Sequence, residues 1–166
     1  MKRYLYLVRH AKAEEYAATS RDFDRELTAA GIMTAARMGK FFKDKDLTVS
    51  RMVSSEAPRA YQTAKVMAEQ LGYEVDEIEL NSGVYEGGPR AYLAATNALD
   101  NAHTHVMLFG HNPDISFFVE YLTNQHVGSM SKGAVATIEF DDMSWNEVSQ
   151  RTGKLLAYDS PKTLVQ

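Results

Sequence analysis

The chain contains no cysteine, and this absence excludes several kinds of site at once. Disulfide bonds, thiolate metal ligands and a cysteine nucleophile are all ruled out. A chain without cysteine also suits a reducing compartment. No apolar run approaches the ~18 residues of a membrane span, and the run before Arg9 is too short for a secretory signal. We therefore expect a cytoplasmic protein with no membrane partner.

The chain also lacks an excess of basic residues, because its formal net charge is −4. Domains that bind nucleic acid usually carry a basic face, so the composition predicts no nucleic-acid partner. With 166 residues, 45% of them hydrophobic, the chain is long enough to bury a core. The 10 glycines and 4 prolines are too few for a disordered or collagen-like chain. The length predicts one domain over residues 1–166.

Short apolar segments alternate along the chain with segments of helical periodicity. The predicted strands cover residues 3–8, 51–55, 73–80, 104–109, 133–140 and 153–159, and the predicted helices cover 27–46, 58–72, 88–100 and 113–123. In the first helix, the predicted apolar face consists of Ile32, Ala35, Ala36, Gly39 and Phe42. The alternation predicts an α/β fold, a three-layer α/β/α sandwich whose central sheet is mainly parallel, with an antiparallel element near the C-terminus.

Polar side chains stand at the ends of three predicted strands. Arg9 and His10 follow the first strand, Arg59 begins the helix after the second, and His111 follows the strand at 104–109. Parallel strands bring their carboxyl ends to one edge of the sheet, where ligands bind. We therefore expect these four side chains to converge in one pocket.

The predicted pocket is cationic. Arginine offers a planar fork of donors that matches phosphate oxygens, and helix N-termini near Pro58 and Pro113 add backbone N–H groups. The pattern predicts a bound phosphate or similar anion, with no metal and no cofactor. Each residue also has an ordinary explanation by itself, because Arg59 can lie on a solvated helix face and His111 can cap a helix. Only their combination favours a functional site.

The segments "LVRHAK", "SSEAPRAYQTA" and "FGHNP", in this order, resemble the histidine phosphatase superfamily, which is also called phosphoglycerate-mutase-like. The short length and the "RHAK" form resemble its SixA-like phosphohistidine phosphatase branch. The resemblance extends from about residue 3 to about residue 125. It implies that His10 is the nucleophile, that Arg9 and Arg59 hold phosphoryl oxygens, and that His111 donates a hydrogen bond to one of them.

Two further residues enter through the same resemblance. Arg25, in "FDRELTAAG", is implied as a substrate-binding residue, and Glu86, in "GVYEGGP", as a candidate general acid. Most of the superfamily has glycine after the Arg-His pair, whereas this chain has Ala11. We interpret Ala11 as a marker of the SixA-like branch.

We expect a metal-independent phosphatase that works through a phosphohistidine intermediate. Its main expected substrate is phosphohistidine in a protein. Few residues lie between the third strand and the strand at 104, which predicts an open site without a large lid. One alternative is a phosphatase, or a mutase, acting on a small phosphorylated metabolite. Another is a phosphate-binding interaction domain without catalysis.

Overall fold

A computed structural model describes residues 1–15 and 21–164 of the chain. The strands of these residues are β1 (Lys2–Arg9), β2 (Arg51–Ser55), β3 (Glu79–Asn81), β4 (His105–Gly110), β5 (Val135–Asp141) and β6 (Lys154–Asp159). The α-helices are α1 (Ala29–Asp44), α2 (Pro58–Leu71), α3 (Gly83–Glu86), α4 (Pro89–Asn97) and α5 (Asp114–Thr123). None of the helices in the described residues is long and apolar enough to cross a lipid bilayer.

The six strands form one mixed sheet in the order β3-β2-β4-β1-β5-β6. β1 pairs in parallel with β4, and β2 pairs in parallel with β4 and β3. β5 runs antiparallel to both β1 and β6. Arg9 lies opposite Gly110 in the register, and Phe109 lies opposite Ser54. The carboxyl ends of β1, β2 and β4 therefore lie side by side at the same edge.

Helices cover both faces of the sheet, which confirms the predicted three-layer architecture. Leu5 and Leu7 belong to the core that α4 and α5 share with one face of the sheet. Tyr6 and Val8 belong to the core that α1 and α2 share with the other face. This alternation follows from the two-residue period of a strand, which sends successive side chains to opposite faces.

The predicted apolar face of α1 is wrong at its beginning. Ile32 is 46% exposed, whereas Gly31 and Met38 are buried together with Ala35. A side chain at Gly31 would collide with the backbone of Lys12, so the helix can approach the loop after β1 only through a glycine. This close approach sets the rotation of α1 about its axis.

The predicted strand at 73–80 is also wrong in extent. A 3₁₀ turn covers Val75–Glu77, and β3 has only three residues, Glu79–Asn81. Alternation of apolar and polar residues predicts a strand only where a partner strand continues beside it. Here β2 pairs with three residues of β3, from Glu79 to Asn81.

Candidate active site

His10 lies directly after β1 and is 5% exposed. Its backbone N–H donates to the carbonyl oxygen of Gly110 at 3.1 Å, which ties the end of β1 to the end of β4. Its Nδ1 atom lies 2.7 Å from the carbonyl oxygen of Ala11. Because a carbonyl oxygen only accepts, Nδ1 carries the proton of the neutral ring, and Nε2 keeps its lone pair. The ring therefore presents an unprotonated nitrogen away from the backbone.

His111 lies directly after β4, and its ring centroid is 5.3 Å from that of His10. Its Nε2 atom lies 2.8 Å from Oγ of Ser55, the last residue of β2. Its backbone N–H donates to the hydroxyl of Tyr92 at 2.9 Å. Tyr92 passes so close to Gly110 that any side chain there would overlap the phenol. Gly110 therefore allows Tyr92 of α4 to pack against the end of β4.

Arg9 and Arg59 place two guanidinium groups beside these histidines, and we call the four side chains the His–Arg cluster. Nη1 of Arg9 donates to the carbonyl oxygen of Met130 at 2.7 Å. The Nε atoms of Arg9 and Arg59 and the Nδ1 atom of His111 are buried and have no hydrogen-bond partner in the described part of the chain. Buried polar nitrogens are normally paired and the two guanidinium groups are cationic, so these three atoms mark a place where an anion fits.

Asp22 lies beside the cluster in a 3₁₀ turn over Asp22–Asp24. Arg59 donates to its carbonyl oxygen at 2.9 Å and to its Oδ2 atom at 3.1 Å. Arg25 donates from Nε to Oδ1 at 3.1 Å, and the Tyr85 hydroxyl donates to Oδ2 at 2.9 Å. The ring of Tyr85 packs edge-to-face on His111 at 5.4 Å. Asp22 and Tyr85 therefore connect the 3₁₀ turn and α3 to the cluster.

A family comparison agrees with this arrangement. A sequence model of the histidine phosphatase superfamily (branch 1) matches residues 5–105, which is more than half of the chain. The chain belongs to the histidine phosphatase superfamily. The matched range includes Arg9, His10 and Arg59, whereas His111 follows it. A comparison with curated protein sequences found no significant match.

Solved structures similar to this chain include three SixA proteins. The structure of the protein histidine phosphatase SixA with tungstate is 22% identical, with a TM-score of 0.84, and the match covers 97% of this chain and 99% of that one. A SixA structure from Nakamurella multipartitia is 23% identical, with a TM-score of 0.83 and 97% of each chain covered. A SixA structure from Agrobacterium tumefaciens is 25% identical, with a TM-score of 0.77, 96% of this chain and 98% of that one covered.

A mycobacterial glucosyl-3-phosphoglycerate phosphatase shares the fold as well. It is 17% identical, with a TM-score of 0.67, and the match covers 96% of this chain and all of that one. The fold therefore occurs in proteins named for a protein substrate and in proteins named for a small metabolite. The choice between the two has to come from the site of this chain.

Arg25 and Glu86, the two further residues that the family resemblance implies, differ in their contacts with the cluster. Arg25 lies at the margin of the His–Arg cluster, where it contacts Asp22 and the carbonyl oxygen of Glu14. Glu86 ends α3, is exposed, and has no hydrogen bond or ion pair to the cluster among residues 1–15 and 21–164. Its neighbour Tyr85 faces the cluster instead. Nothing in this geometry supports the expected general acid at Glu86.

The sequence reasoning missed three residues whose side chains contact the cluster in the described part of the chain, namely Asp22, Ser55 and Tyr85. Asp22 had a detectable signal, because it precedes Arg25 by three residues, a spacing that suits an ion pair within one turn. Ser55 was visible as the end of a predicted strand. Tyr85 had no signal beyond its position next to Glu86.

The environment keeps both histidines of the cluster neutral. Burial lowers the pKa of His10 to about 4; the hydrogen bond to Ala11 offsets part of this effect, and the charges of Arg59 and Arg9 add to it. Burial and the charge of Arg59 lower the pKa of His111 to about 3. A cationic, poorly hydrated site disfavours a further positive charge. His10 therefore keeps its lone pair at neutral pH, as a nucleophile requires.

Asp22 and Tyr85 are poor proton donors at neutral pH, for opposite reasons. Partial burial raises the pKa of Asp22, but the hydrogen bond from Tyr85 and the charge of Arg59 outweigh this effect, so the pKa lies below its usual value. Burial and the hydrogen bond to Asp22 raise the pKa of Tyr85. The carboxyl is therefore already ionised, and the phenol holds its proton tightly.

The expectation of an open site does not hold for the two histidines. His10 is 5% exposed, His111 is 7% exposed and Arg59 is 4% exposed. Tyr85 covers one side of His111, and Asp22 binds the outer end of Arg59. In the described residues, Asp22 of the 3₁₀ turn and Tyr85 of α3 therefore cover the cluster.

The lowered pKa values predict a stability that declines in acid. Unfolded histidine titrates near 6.5, so below that pH the unfolded chain binds more protons than the folded chain. The two groups cost almost no stability above pH ~7.5, and together they should lower the free energy of unfolding by about 4 kcal/mol between pH ~7.5 and pH ~5. Urea titrations in phosphate-free buffer measure this change.

A matched pair of variants isolates the histidines responsible. His111→Asn should remove about half of the pH dependence that His10 and His111 contribute together, because asparagine does not titrate. His126→Asn should leave it unchanged, because the His126 side chain is 79% exposed and pairs only with Glu120 among the described residues. Equal pH dependence in the unchanged protein and His111→Asn would contradict the prediction.

Proposed function

We propose that this chain is a phosphatase that works through a phosphohistidine at His10, and that its preferred substrate is phosphohistidine in another protein. The observation that carries the proposal is the state of His10. Its Nδ1–H is held by the carbonyl oxygen of Ala11, and its Nε2 lone pair lies beside buried cationic donors. A lone pair held among phosphate-binding groups can attack phosphorus.

The reaction has two transfers in this proposal. Nε2 of His10 forms a bond to phosphorus while the bond from phosphorus to the substrate nitrogen breaks, and the leaving imidazole takes a proton from solvent. Water then attacks the phosphoryl group on His10, the bond from phosphorus to Nε2 breaks, the proton of the water passes to solvent, and phosphate leaves. Arg9, Arg59 and His111 stabilise the charge that spreads over the phosphoryl oxygens in both steps. Arg25 acts through Asp22 at the margin of the substrate.

The preference for phosphohistidine follows from the proton donors of the site. A sugar or nucleotide ester leaves as a basic alkoxide and needs a general acid, whereas imidazole is a far weaker base. Asp22 is ionised, Tyr85 holds its proton, and Glu86 makes no hydrogen bond or ion pair to the cluster in the described structure. A site with these groups cleaves a phosphorus–nitrogen bond more readily than an alkyl phosphate ester. The likeness to SixA structures supports the same substrate.

The second candidate is a phosphatase of a small phosphorylated metabolite. The burial of His10 and His111 favours it, because a buried centre accepts a small ligand more easily than a folded partner. The similar fold of the glucosyl-3-phosphoglycerate phosphatase is consistent with it.

A comparison of leaving groups decides between the two. We expect kcat/KM on a histidine-phosphorylated protein to exceed that on sugar and nucleotide phosphates by about 10²–10⁴-fold, the usual contribution of a general acid. In a series of aryl phosphates, the rate should fall steeply as the leaving phenol becomes more basic. Spontaneous hydrolysis of phosphohistidine is subtracted with the His10→Ala variant. An alkyl phosphate cleaved as fast as phosphohistidine would favour the metabolite phosphatase.

A further inference from the structure

Ser55 contacts the cluster through the ring of His111. It is the last residue of β2 and has no exposed surface. Its Oγ atom lies 2.8 Å from Nε2 of His111 and accepts the backbone N–H of Ala57 at 3.1 Å. These are the two hydrogen-bond partners of the hydroxyl within the described residues. The hydroxyl proton therefore has Nε2 of His111 as its one acceptor there.

The proton of the hydroxyl decides which nitrogen of His111 is protonated. A neutral imidazole carries one N–H, and its other nitrogen is an acceptor. If Ser55 donates to Nε2, the ring proton lies on Nδ1, and the hydroxyl satisfies both its donor and its acceptor. If Nε2 carries the proton, a buried hydroxyl proton is left without an acceptor, at a cost of about 1–3 kcal/mol.

We infer that Ser55 is a positioning residue that holds His111 in the Nδ1–H tautomer, so that this N–H donates to the phosphoryl group. Nδ1 of His111 is buried and unpaired within residues 1–15 and 21–164, and this matches a donor whose acceptor is a ligand. The opposite tautomer would direct a lone pair at the anion and repel it. The role in phosphoryl binding rests on the proposed function, whereas the tautomer itself does not.

The neutral state of His111 makes the tautomer important. Burial and the nearby charge of Arg59 lower the pKa of this ring to about 3. A cationic histidine would carry a proton on both nitrogens, so there would be no tautomer to select. Here one proton is shared between two positions, and the contact with Ser55 places it. Tyr92 holds the backbone of the same residue through its N–H at 2.9 Å, so both ends of His111 are fixed.

The first test is the spectrum of the unchanged protein. Long-range proton–nitrogen correlation of ¹⁵N-histidine protein at neutral pH distinguishes a protonated ring nitrogen from an unprotonated one, and His111→Gln identifies the signals. We expect His111 to show a protonated Nδ1 and an unprotonated Nε2. A proton on Nε2 would overturn the inference, whatever any variant does.

Variants of the two adjacent serines supply the second test. Ser55→Ala should shift His111 toward the other tautomer and weaken inorganic phosphate binding about three- to tenfold, because only the competent fraction binds. Ser54→Ala is the matched control, since Ser54 is equally buried but donates to the Ser55 carbonyl oxygen. It should leave the spectrum and the affinity unchanged. Ser55→Thr, which retains the hydroxyl, should restore both.

The outcomes separate this inference from the proposed function. An unchanged tautomer in folded Ser55→Ala overturns the inference while phosphatase activity stands. If Ser55→Ala does not fold, the spectra of the unchanged protein and Ser55→Thr decide, and an Nε2 proton in either overturns it. If the spectra show the expected tautomers but the protein has no phosphatase activity on any substrate, the proposed function is overturned and the assignment of the proton stands. Equal phosphate affinity in Ser55→Ala and Ser54→Ala would remove the role in anion binding.

Discussion

His10→Ala is expected to form no phosphoenzyme and to lose about 10⁴-fold or more of the phosphatase activity, as in other enzymes that lose their nucleophile. Alanine removes the one unprotonated nitrogen of His10 and leaves Arg9, Arg59 and His111 in place. Phosphate should therefore still bind, while the chemical step disappears. Single-turnover reactions with a histidine-phosphorylated protein, followed by intact-mass measurement, show whether one phosphoryl group is transferred to the chain.

His126→Ala is the control for this experiment. The His126 side chain is 79% exposed, and its Nε2 atom lies 3.1 Å from Oε1 of Glu120. This variant should form the phosphoenzyme at the unchanged rate. Thermal unfolding of both variants shows that the comparison is made on folded protein. Unreduced turnover by His10→Ala, or a phosphoryl group found on another residue, would contradict the assignment of the nucleophile.

Arg59→Ala is expected to lower kcat/KM by about 10³-fold, with the larger part of the loss in kcat. The guanidinium is almost fully buried beside both histidines, so its charge acts on the reacting group with little screening by water. Arg59→Lys should recover less than about tenfold of this loss, because an ammonium lacks the planar fork that binds two oxygens. Steady-state kinetics and the phosphoenzyme formation rate measure both variants.

The folded state should tolerate the loss of Arg59. Its partner Asp22 has a side chain that is 54% exposed, so water can replace the lost hydrogen bonds. Arg37→Ala is the matched control, since Arg37 is an exposed arginine of α1 and lies outside the cluster. Kinetics of Arg59→Ala equal to those of Arg37→Ala would show that Arg59 does not stabilise the transferred group.

Much of the fold was predictable, because the periods of the sequence reflect burial on the two faces of the sheet. In α5, Ile115, Phe118, Val119 and Leu122 recur at helical spacing, and all four are fully buried. The left-handed Gly72 ends α2, as expected for a C-terminal glycine. The prediction was wrong for the face of α1 at Ile32 and for the long strand at 73–80. Both depend on a neighbour distant in sequence, the Lys12 backbone in one case and β2 in the other.

The His–Arg cluster was predictable for a different reason. Arg9, His10, Arg59 and His111 each stand next to the end of a parallel strand, and parallel strands end at one edge. Position along the chain was therefore enough to group them. Asp22 and Tyr85 lie in connections between the main strands and helices. The spacing of apolar residues does not predict the course of these connections.

The sequence by itself determined the sheet-and-helix architecture, the family, and the four polar residues at one sheet edge. Only the tertiary structure decided that Tyr85, and not Glu86, faces those residues. Consecutive residues of a helix point about 100° apart, and α3 is a single turn that is too short to show an apolar stripe. The tertiary structure also decided the contact of Ser55 with His111, since a hydrogen bond between residues 56 positions apart depends on how β2 and β4 lie together.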